Sequence, residues 1–227
     1  MRFSVIVPVL NEEAVLARQL SQLAQIGAAY DYELLLVDGG SIDQTAAIAE
    51  RFGQVIHAPR GRAVQMNKGA ESASGEVYIF LHADTLLPAN AFDVITRACA
   101  STQVIGGAFR LSFDSKKLSY RLVAFTTNLR SRWRGIFTGD QAYFVRADSF
   151  RAVGGFPEIA LMEDLEIITR LRQRGKVVLL ASKVTTSARR HQKIGLLRSV
   201  LFMWYLRTLY KFGVSPEQLQ RKYLDIR

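Results

Sequence analysis

Polar groups in this 227-residue chain cluster where apolar runs end. His82 and Asp84 close "EVYIFLHADT". Asp38 closes "YELLLVD", ahead of Gly39, Gly40 and Ser41. Asn11 and Glu12 follow "FSVIVPVL", just past Pro8. An imidazole and a carboxylate two residues apart could ligate a metal or meet a phosphate. Two adjacent carboxylates, Glu163 and Asp164, open "EDLEIITRLRQRG". A carboxylate held in a cleft can serve as general base toward a hydroxyl. "SARRHQK" gathers Arg189, Arg190 and His191, and paired arginines suit phosphate oxygens. Each cluster also has a plain reading. Asp38 could form an Asx-turn, Asp84 could cap the helix after Pro88, and the 163–164 acids complement a helix dipole. The three clusters at Pro8, Asn11 and Glu12, at Asp38, and at His82 and Asp84 would share one rim of a sheet, and this favours a site, because ligands of open α/β sheets bind outside the carboxyl ends of the strands.

The elements that must position these groups follow from periodicity. "FSVIVPVL", "YELLLVD", "QVIHAP" and "EVYIFLHAD" are near-continuous in apolar residues, as strands buried on both faces are. Helical patterns separate them. "EEAVLARQLSQLAQI" puts Val15, Leu16, Leu20 and Leu23 on one face. "SIDQTAAIAERF" starts with the capping types Ser41 and Asp43, and the glycines before it would offer its N-terminus to an anion. "GRAVQMNKGAESA" is a weaker helix. The alternation predicts βαβ units and a parallel sheet. Downstream, "QVIGGAFRLSFD" reads as a strand with a Gly-Gly break and "SKKLSYRLVAFTTNLRSRW" as a helix. "DQAYFVRADSFRAVGGF" reads as a strand and short helix, and "KVVLL" as a last strand. One α/β domain over 1–227 is expected.

Thirty Lys and Arg against twenty Asp and Glu give a formal net charge of +10. This fits nucleic acid, an anionic membrane surface or phosphate-bearing substrates. Aromatic residues lie in apolar runs rather than among basic ones, which argues against nucleic acid. The single cysteine, Cys99, permits no intrachain disulfide and reads as buried within a helix. The N-terminus reads as a strand, not a signal peptide. No run reaches the roughly 18 apolar residues of a membrane span. "IGLLRSVLFMWYLRTLYKFG" is helical and apolar nearly all round, and either packs on the domain or lies in a membrane interface. Neither a P-loop nor a dinucleotide fingerprint is present.

The ordered set "SVIVPVLNEE", "LLLVDGGSIDQT", "FLHADT", "GGAFR", "GDQAYFVR", "GGFPE" and "MEDLEI" resembles glycosyltransferase family 2, over about residues 3–195. The Asp-Gly-Gly-Ser and His-Ala-Asp variants most resemble a short, single-domain bacterial branch. The resemblance implies a GT-A, Rossmann-like fold with a mostly parallel sheet and a mixed C-terminal part. Residues 1–101 would hold the nucleotide sugar, 102–195 would be the acceptor and catalytic half, and 196–227 a C-terminal apolar helix. It implies inverting transfer from a UDP- or GDP-type sugar to an acceptor hydroxyl or carboxyl, with Mn²⁺ or Mg²⁺. Pro8, Asn11, Glu12, Asp38, Gly39, Ser41 and His82 would hold the donor, with Arg189 and Arg190 on its diphosphate. Gly39 stands where relatives carry a second acid that helps read the base. Asp84 would bind the metal, with His82 in the place of the first acid of an Asp-x-Asp motif and His191 able to complete the site. Asp164 would be general base, with Glu163 beside it. Gly106, Gly107, Asp140 and Gln141 would shape the sugar and acceptor pocket. A lipid-linked acceptor and a place in the cytoplasm, at the membrane face, suit the charge and the apolar tail. The competing readings are a nucleotidyltransferase, which lacks its basic Gly-rich loop here, and a non-catalytic basic binding module.

Overall fold

The computed structural model describes residues 1–189, 192 and 195–224. Four strands pair in parallel in the order β3-β2-β1-β4: β1 (Phe3–Val9), β2 (Tyr32–Asp38), β3 (Gln54–His57) and β4 (Val77–Phe80). Alternate residues of these runs face opposite layers. Val5, Val7, Leu34, Leu36 and Ile79 pack beneath α1 (Glu13–Gly27), whose Leu16, Leu20 and Leu23 are fully buried. Each such leucine contributes about 1.5–3 kcal/mol. Ile6, Leu35, Val37, Tyr78 and Phe80 face the other layer, where Ala63 and Met66 of α3 (Arg62–Ser72) pack. Pro8 is tolerated in β1 because the side its missing N–H faces is free of β4, which ends at Phe80 opposite Ile6.

The second half extends the same sheet rather than building another. β7 (Tyr143–Arg146) runs antiparallel between β4 and β6 (Val104–Phe113). β8 (Lys176–Thr186) lies parallel to β6, and β5 (Thr85–Leu86) pairs antiparallel with the end of β8. The helices are α2 (Thr45–Ala49), α4 (Ala91–Cys99), α5 (Leu118–Arg134), α6 (Ala147–Ala152), α7 (Glu163–Arg172), α8 (Leu196–Lys211) and α9 (Pro216–Leu224). Met162, Leu206 and Leu219 form a small separate core that seats α8 and α9 against the start of α7. Tyr210 adds a 2.6 Å hydrogen bond to Glu166.

Several expectations need correction. The fourth strand stops at Phe80, so His82 and Asp84 occupy a turn beyond it. The last strand runs six residues past "KVVLL", because β5 and β6 both offer it partners. Gly106 and Gly107 do not break β6. They sit between two register slips, and a Cβ on Gly107 would lie 2.3 Å from the Val178 carbonyl. Helix α2 has only five residues and starts at Thr45. Ser41 and Asp43 therefore serve loops rather than its N-cap, and no helix N-terminus follows Gly40 directly. Asp84 caps nothing, since α4 begins after Asn90. Cys99 is buried, at the end of α4 rather than in its interior.

Candidate active site

The loops after β1 and β2 are laced together by side chains. Asp38, almost wholly buried, accepts hydrogen bonds from the Gly40 amide (3.1 Å), the Ser41 amide (3.1 Å) and the Ser41 hydroxyl. Ser41 Oγ in turn accepts the Asn11 amide at 3.0 Å, and Asn11 Oδ1 accepts the Ile42 amide at 2.9 Å. Asn11 takes φ 53°, a left-handed conformation that asparagine tolerates well. Below them Gln65 donates to the Val9 and Val37 carbonyls at 2.9 and 2.7 Å, tying the two strand ends. Gly39 lies directly over that amide, where a Cβ would come within 3.0 Å of it. Glu12 forms an ion pair with Arg189, which follows β8, so the distal edge of the sheet is strapped back to β1.

The turn holding His82 and Asp84 is fixed from behind. Gln19 of α1 donates to the His82 carbonyl at 3.0 Å, and Ser187 donates its amide to the Asp84 carbonyl at 3.1 Å. Thr85 and Thr186 join their hydroxyls at 3.1 Å in the buried β5–β8 pair. This leaves the side chains of His82 and Asp84 on the wall of a cavity of about 590 Å³.

The same cavity is walled by Gly139, Asp140, Glu163 and Asp164, by α5 and by α8. His82 lies against Gly139, where an added Cβ would be 2.6 Å from its Nε2. The Gly139 amide donates to Asp164 Oδ2 at 3.1 Å. Met162, at φ 76°, turns the chain into α7 so that both acids project from its first turn. A non-glycine residue in that region stores strain, a feature frequent at working sites. Glu163 is buried and pairs with Arg62 Nη1 at 3.2 Å. Burial pushes the carboxyls of Glu163 and Asp164 above the usual carboxylate range. Arg62 opposes this at Glu163, and Arg207 with Arg62 opposes it at Asp164. Tyr143 hides beneath, its hydroxyl without a hydrogen-bond partner. Burial and then the charge of Asp164 raise its pKa strongly. Among the described residues no three His, Cys, Asp or Glu side chains group so as to hold a metal. Asp84 as a single carboxylate suits a hard divalent ion only when a ligand's phosphate oxygens complete the shell.

The predicted residues therefore divide. His82, Asp84, Asp140, Glu163 and Asp164 meet at one cavity. Pro8, Asn11, Glu12, Asp38, Gly39, Ser41 and Arg189 gather at the neighbouring strand ends. Gly106 and Gly107 lie inside the sheet, where the carbonyls of Phe144 and Val178 approach too closely for side chains. Gln141 is fully buried behind the wall. It donates to the Phe109 carbonyl (3.0 Å) and accepts from Thr138 and Ser131, so it braces the Thr138–Asp140 turn rather than lining the pocket. Arg190 and His191 lie outside the described residues. The sequence reading missed Arg62, Arg130, Thr138 and Arg207, all on the cavity wall. Arg62 had a signal: an arginine at the first position of a helix opposes the dipole and calls for a reason. Arg130 had none to set it apart from Arg132 and Arg134.

The fold is shared with solved glycosyltransferases. A mannosyltransferase of Pyrobaculum calidifontis, in complex with GDP-Man and Mn²⁺, superposes with TM-score 0.67 at 19% identity, over 97% of this chain and 67% of that one. S. aureus TarS 1-349, in complex with UDP-GlcNAc, gives 0.65 at 18% identity, over 82% of this chain and 58% of that one. At such identities the likeness is one of fold. In sequence, a PGL/p-HBAD biosynthesis glycosyltransferase of Mycobacterium bovis is 34% identical over 160 residues. The match takes in 66% of this chain, which spans only 57% of that relative's length. Residues 4–154, well over half of the chain, match the family described as Glycosyl transferase family 2, and the chain belongs to that family.

Proposed function

We propose that this chain is an inverting glycosyltransferase that moves a sugar from a nucleotide-diphosphate sugar to the hydroxyl of a lipid-like acceptor. The observation that carries the reading is Asp164, a carboxylate fixed by the Gly139 amide on the wall of the cavity that Asp84 also lines. Residues 1–101 serve the donor and 102–195 complete the acceptor side, with α8 along the cavity wall. The laced loops of Asn11, Asp38, Gly39 and Ser41 present a rigid bed for nucleoside and ribose. The neighbours solved in complex with UDP-GlcNAc and with GDP-Man support a UDP- or GDP-type donor. Asp84, with His82 beside it, would hold Mn²⁺ or Mg²⁺ together with the donor's diphosphate, and that ion supplies neutralisation of the leaving group's charge. Arg189, braced by Glu12, adds positive charge on the same side. Asp164 accepts the acceptor's proton at Oδ1 or Oδ2 as the hydroxyl oxygen attacks the anomeric carbon from the face opposite the diphosphate. Burial raises its pKa, and a carboxylate partly withdrawn from water interacts more strongly with the charges around it.

Two helix faces support the lipid-like acceptor and a place at an anionic membrane surface. Leu118, Leu122, Phe125 and Trp133 line one exposed face of α5, and Leu197, Leu201, Trp204 and Tyr205 one exposed face of α8. The cavity lies between these helices. Neither helix contains an Asp or Glu, whereas Arg121, Arg132, Arg198 and Lys211 punctuate them. Apolar faces edged only with cations complement an anionic bilayer. No helix among the described residues is long and apolar enough to cross a membrane. A thermal-shift series with UDP, GDP, TDP and CDP sugars, with and without Mn²⁺, tests the donor assignment. Stabilisation by at least one sugar nucleotide that needs the metal and vanishes in Asp84→Ala is expected. No stabilisation by any of them sinks the donor assignment.

A further inference from the structure

Four arginines reach the cavity wall: Arg62, Arg130, Arg207 and the exposed Arg134. Arg62 is engaged by Glu163 at 3.2 Å. Arg207 stands among the charges that act on Asp164. Arg130, near the end of α5, is different. Its Nε and Nη2 are sealed from solvent, and neither donates a hydrogen bond. A guanidinium carries its donors in a rigid fork, and buried donors left unmade are costly. The carboxylates near it are occupied elsewhere: Asp140 accepts the Thr138 hydroxyl at 2.6 Å, and Asp164 accepts the Gly139 and Leu165 amides at 3.1 and 2.9 Å. Burial, then the proximity of Arg207, lowers its pKa to about 10, so Arg130 remains cationic at neutral pH. Two nitrogens of this fork are thus left without hydrogen bonds.

Apolar side chains flank Arg130 on the wall, Val123, Leu129 and Trp133 from α5 and Val200, Phe202 and Met203 from α8, with threonines and the cations Arg134 and Lys211 among them. A buried cationic fork beside a largely apolar wall edged with cations fits one ligand chemistry. We propose that Arg130 seats an anionic group, phosphate or carboxylate, of an amphiphilic acceptor whose hydrocarbon chain lies between α5 and α8. This rests on the glycosyltransferase reading and narrows it to the acceptor's class. An anion toward which the side chain turns from its sealed position would satisfy both orphan N–H groups in the bidentate manner that guanidinium favours. It also fixes the head of the molecule beside Asp164, while the chain leaves toward the exposed Trp133 and Trp204. The donor's phosphates are assigned to Asp84, in the turn after β4, and to Arg189, which pairs with Glu12 away from this cavity's wall, and this separates the two anion sites.

Calorimetric titration of the full chain tests this with octyl phosphate, 1-octanol and inorganic phosphate, and separately with UDP and GDP in Mn²⁺. Octyl phosphate is expected to bind roughly ten-fold or more tightly than octanol or inorganic phosphate, as a charge-assisted bond added to hydrocarbon burial predicts. Arg130→Gln should lose roughly ten- to hundred-fold for octyl phosphate alone. Arg130→Lys, which keeps the charge without the fork, should lose less and guards against a folding defect in the glutamine variant. Octyl phosphate no better than octanol, or an Arg130→Gln loss that appears in the UDP and GDP titrations, overturns the proposal. If neither nucleotide binds the wild type while octyl phosphate binding still depends on Arg130, the anionic seat stands and the donor reading falls.

Discussion

The Gly139 amide donates a 3.1 Å hydrogen bond to Asp164 Oδ2, and the same glycine is the surface against which His82 lies. One residue without a side chain thus sets the spacing between the rim of the parallel strands and the acid pair of α7. A Cβ at this position would force His82 aside, and the amide that aims Asp164 would move with it. Gly139→Ala is expected to lower turnover at least about ten-fold, since small misplacements of a reacting group are costly. Sugar-nucleotide binding, which rests on Asp84 and the loops after β1 and β2 as well as on His82, should weaken by much less. Equal loss of both would place Gly139 among donor-binding residues instead.

Asp164→Asn keeps an oxygen for the Gly139 amide but cannot take a proton. Transfer should fall by roughly 10²–10⁴, while metal-dependent stabilisation by the donor persists. The same variant has a stability signature. A carboxyl whose pKa is raised on folding holds its proton longer in the folded chain than in the unfolded one. Its contribution is therefore greatest below the unfolded value, about 4, and is lost as pH rises through the folded value. Asp164→Asn should melt higher than wild type at neutral pH, with the difference fading in acid. A variant that melts lower at every pH would make Asp164 a structural residue.

Arg62 and Glu163 join the first turns of α3 and α7 across the cavity wall. Glu163 is the buried member, so removing Arg62 strands a charge. Arg62→Met should cost about 3 kcal/mol, the low end for broken buried pairs because Arg62 itself is partly open to solvent. Arg62→Met with Glu163→Leu should recover much of that loss. A double-mutant cycle in denaturant reads the coupling, and additive losses would show that the pair is not an energetic unit.

The parallel half was legible because its signals are local: apolar runs of strand length, helical spacing between them, and acids where the runs stop. His82, Asp84 and the 163–164 acids could be picked out on type and position. What failed were side chains whose role depends on a distant partner. Gln141 and Asp140 are adjacent in sequence, yet one braces the interior and the other faces the cavity, and only the tight turn after Thr138 decides which. The polar end of β8, "SKVTT", looks like a loop until β5 and β6 supply its partners. Arg62, Arg130 and Arg207 reach one wall from three separate helices, and no spacing in the sequence records that convergence.

Gly107 offers a test of packing against ligand contact. Its missing Cβ would lie 2.3 Å from the Val178 carbonyl and 2.6 Å from the Phe144 ring. Neither neighbour can yield without opening the β6 pairings. Gly107→Ala should destabilise by about 1–3 kcal/mol or more, as overpacked cores do. The folded fraction should keep its KM for donor and acceptor. A raised KM at unchanged melting temperature would return Gly107 to the pocket.

The exposed faces of α5 and α8 make the last prediction. Large apolar patches on a protein surface mark contact sites, and this one carries cations and no acids. Flotation with vesicles containing anionic lipid should bring the chain to the lipid fraction, and vesicles of neutral lipid should bring much less. Trp133→Ser with Trp204→Ser should reduce binding to anionic vesicles at least about ten-fold, since each indole supplies interfacial contact that the cations alone do not. Added salt should weaken the wild type as well, because the cationic share of the attraction is screened over about 8–10 Å. Both tryptophans lie on the outer faces rather than in the packing of the sheet, so the melting temperature should hold. If the chain ignores anionic vesicles and sediments as a dimer that the double substitution dissociates, the faces meet each other and not a bilayer.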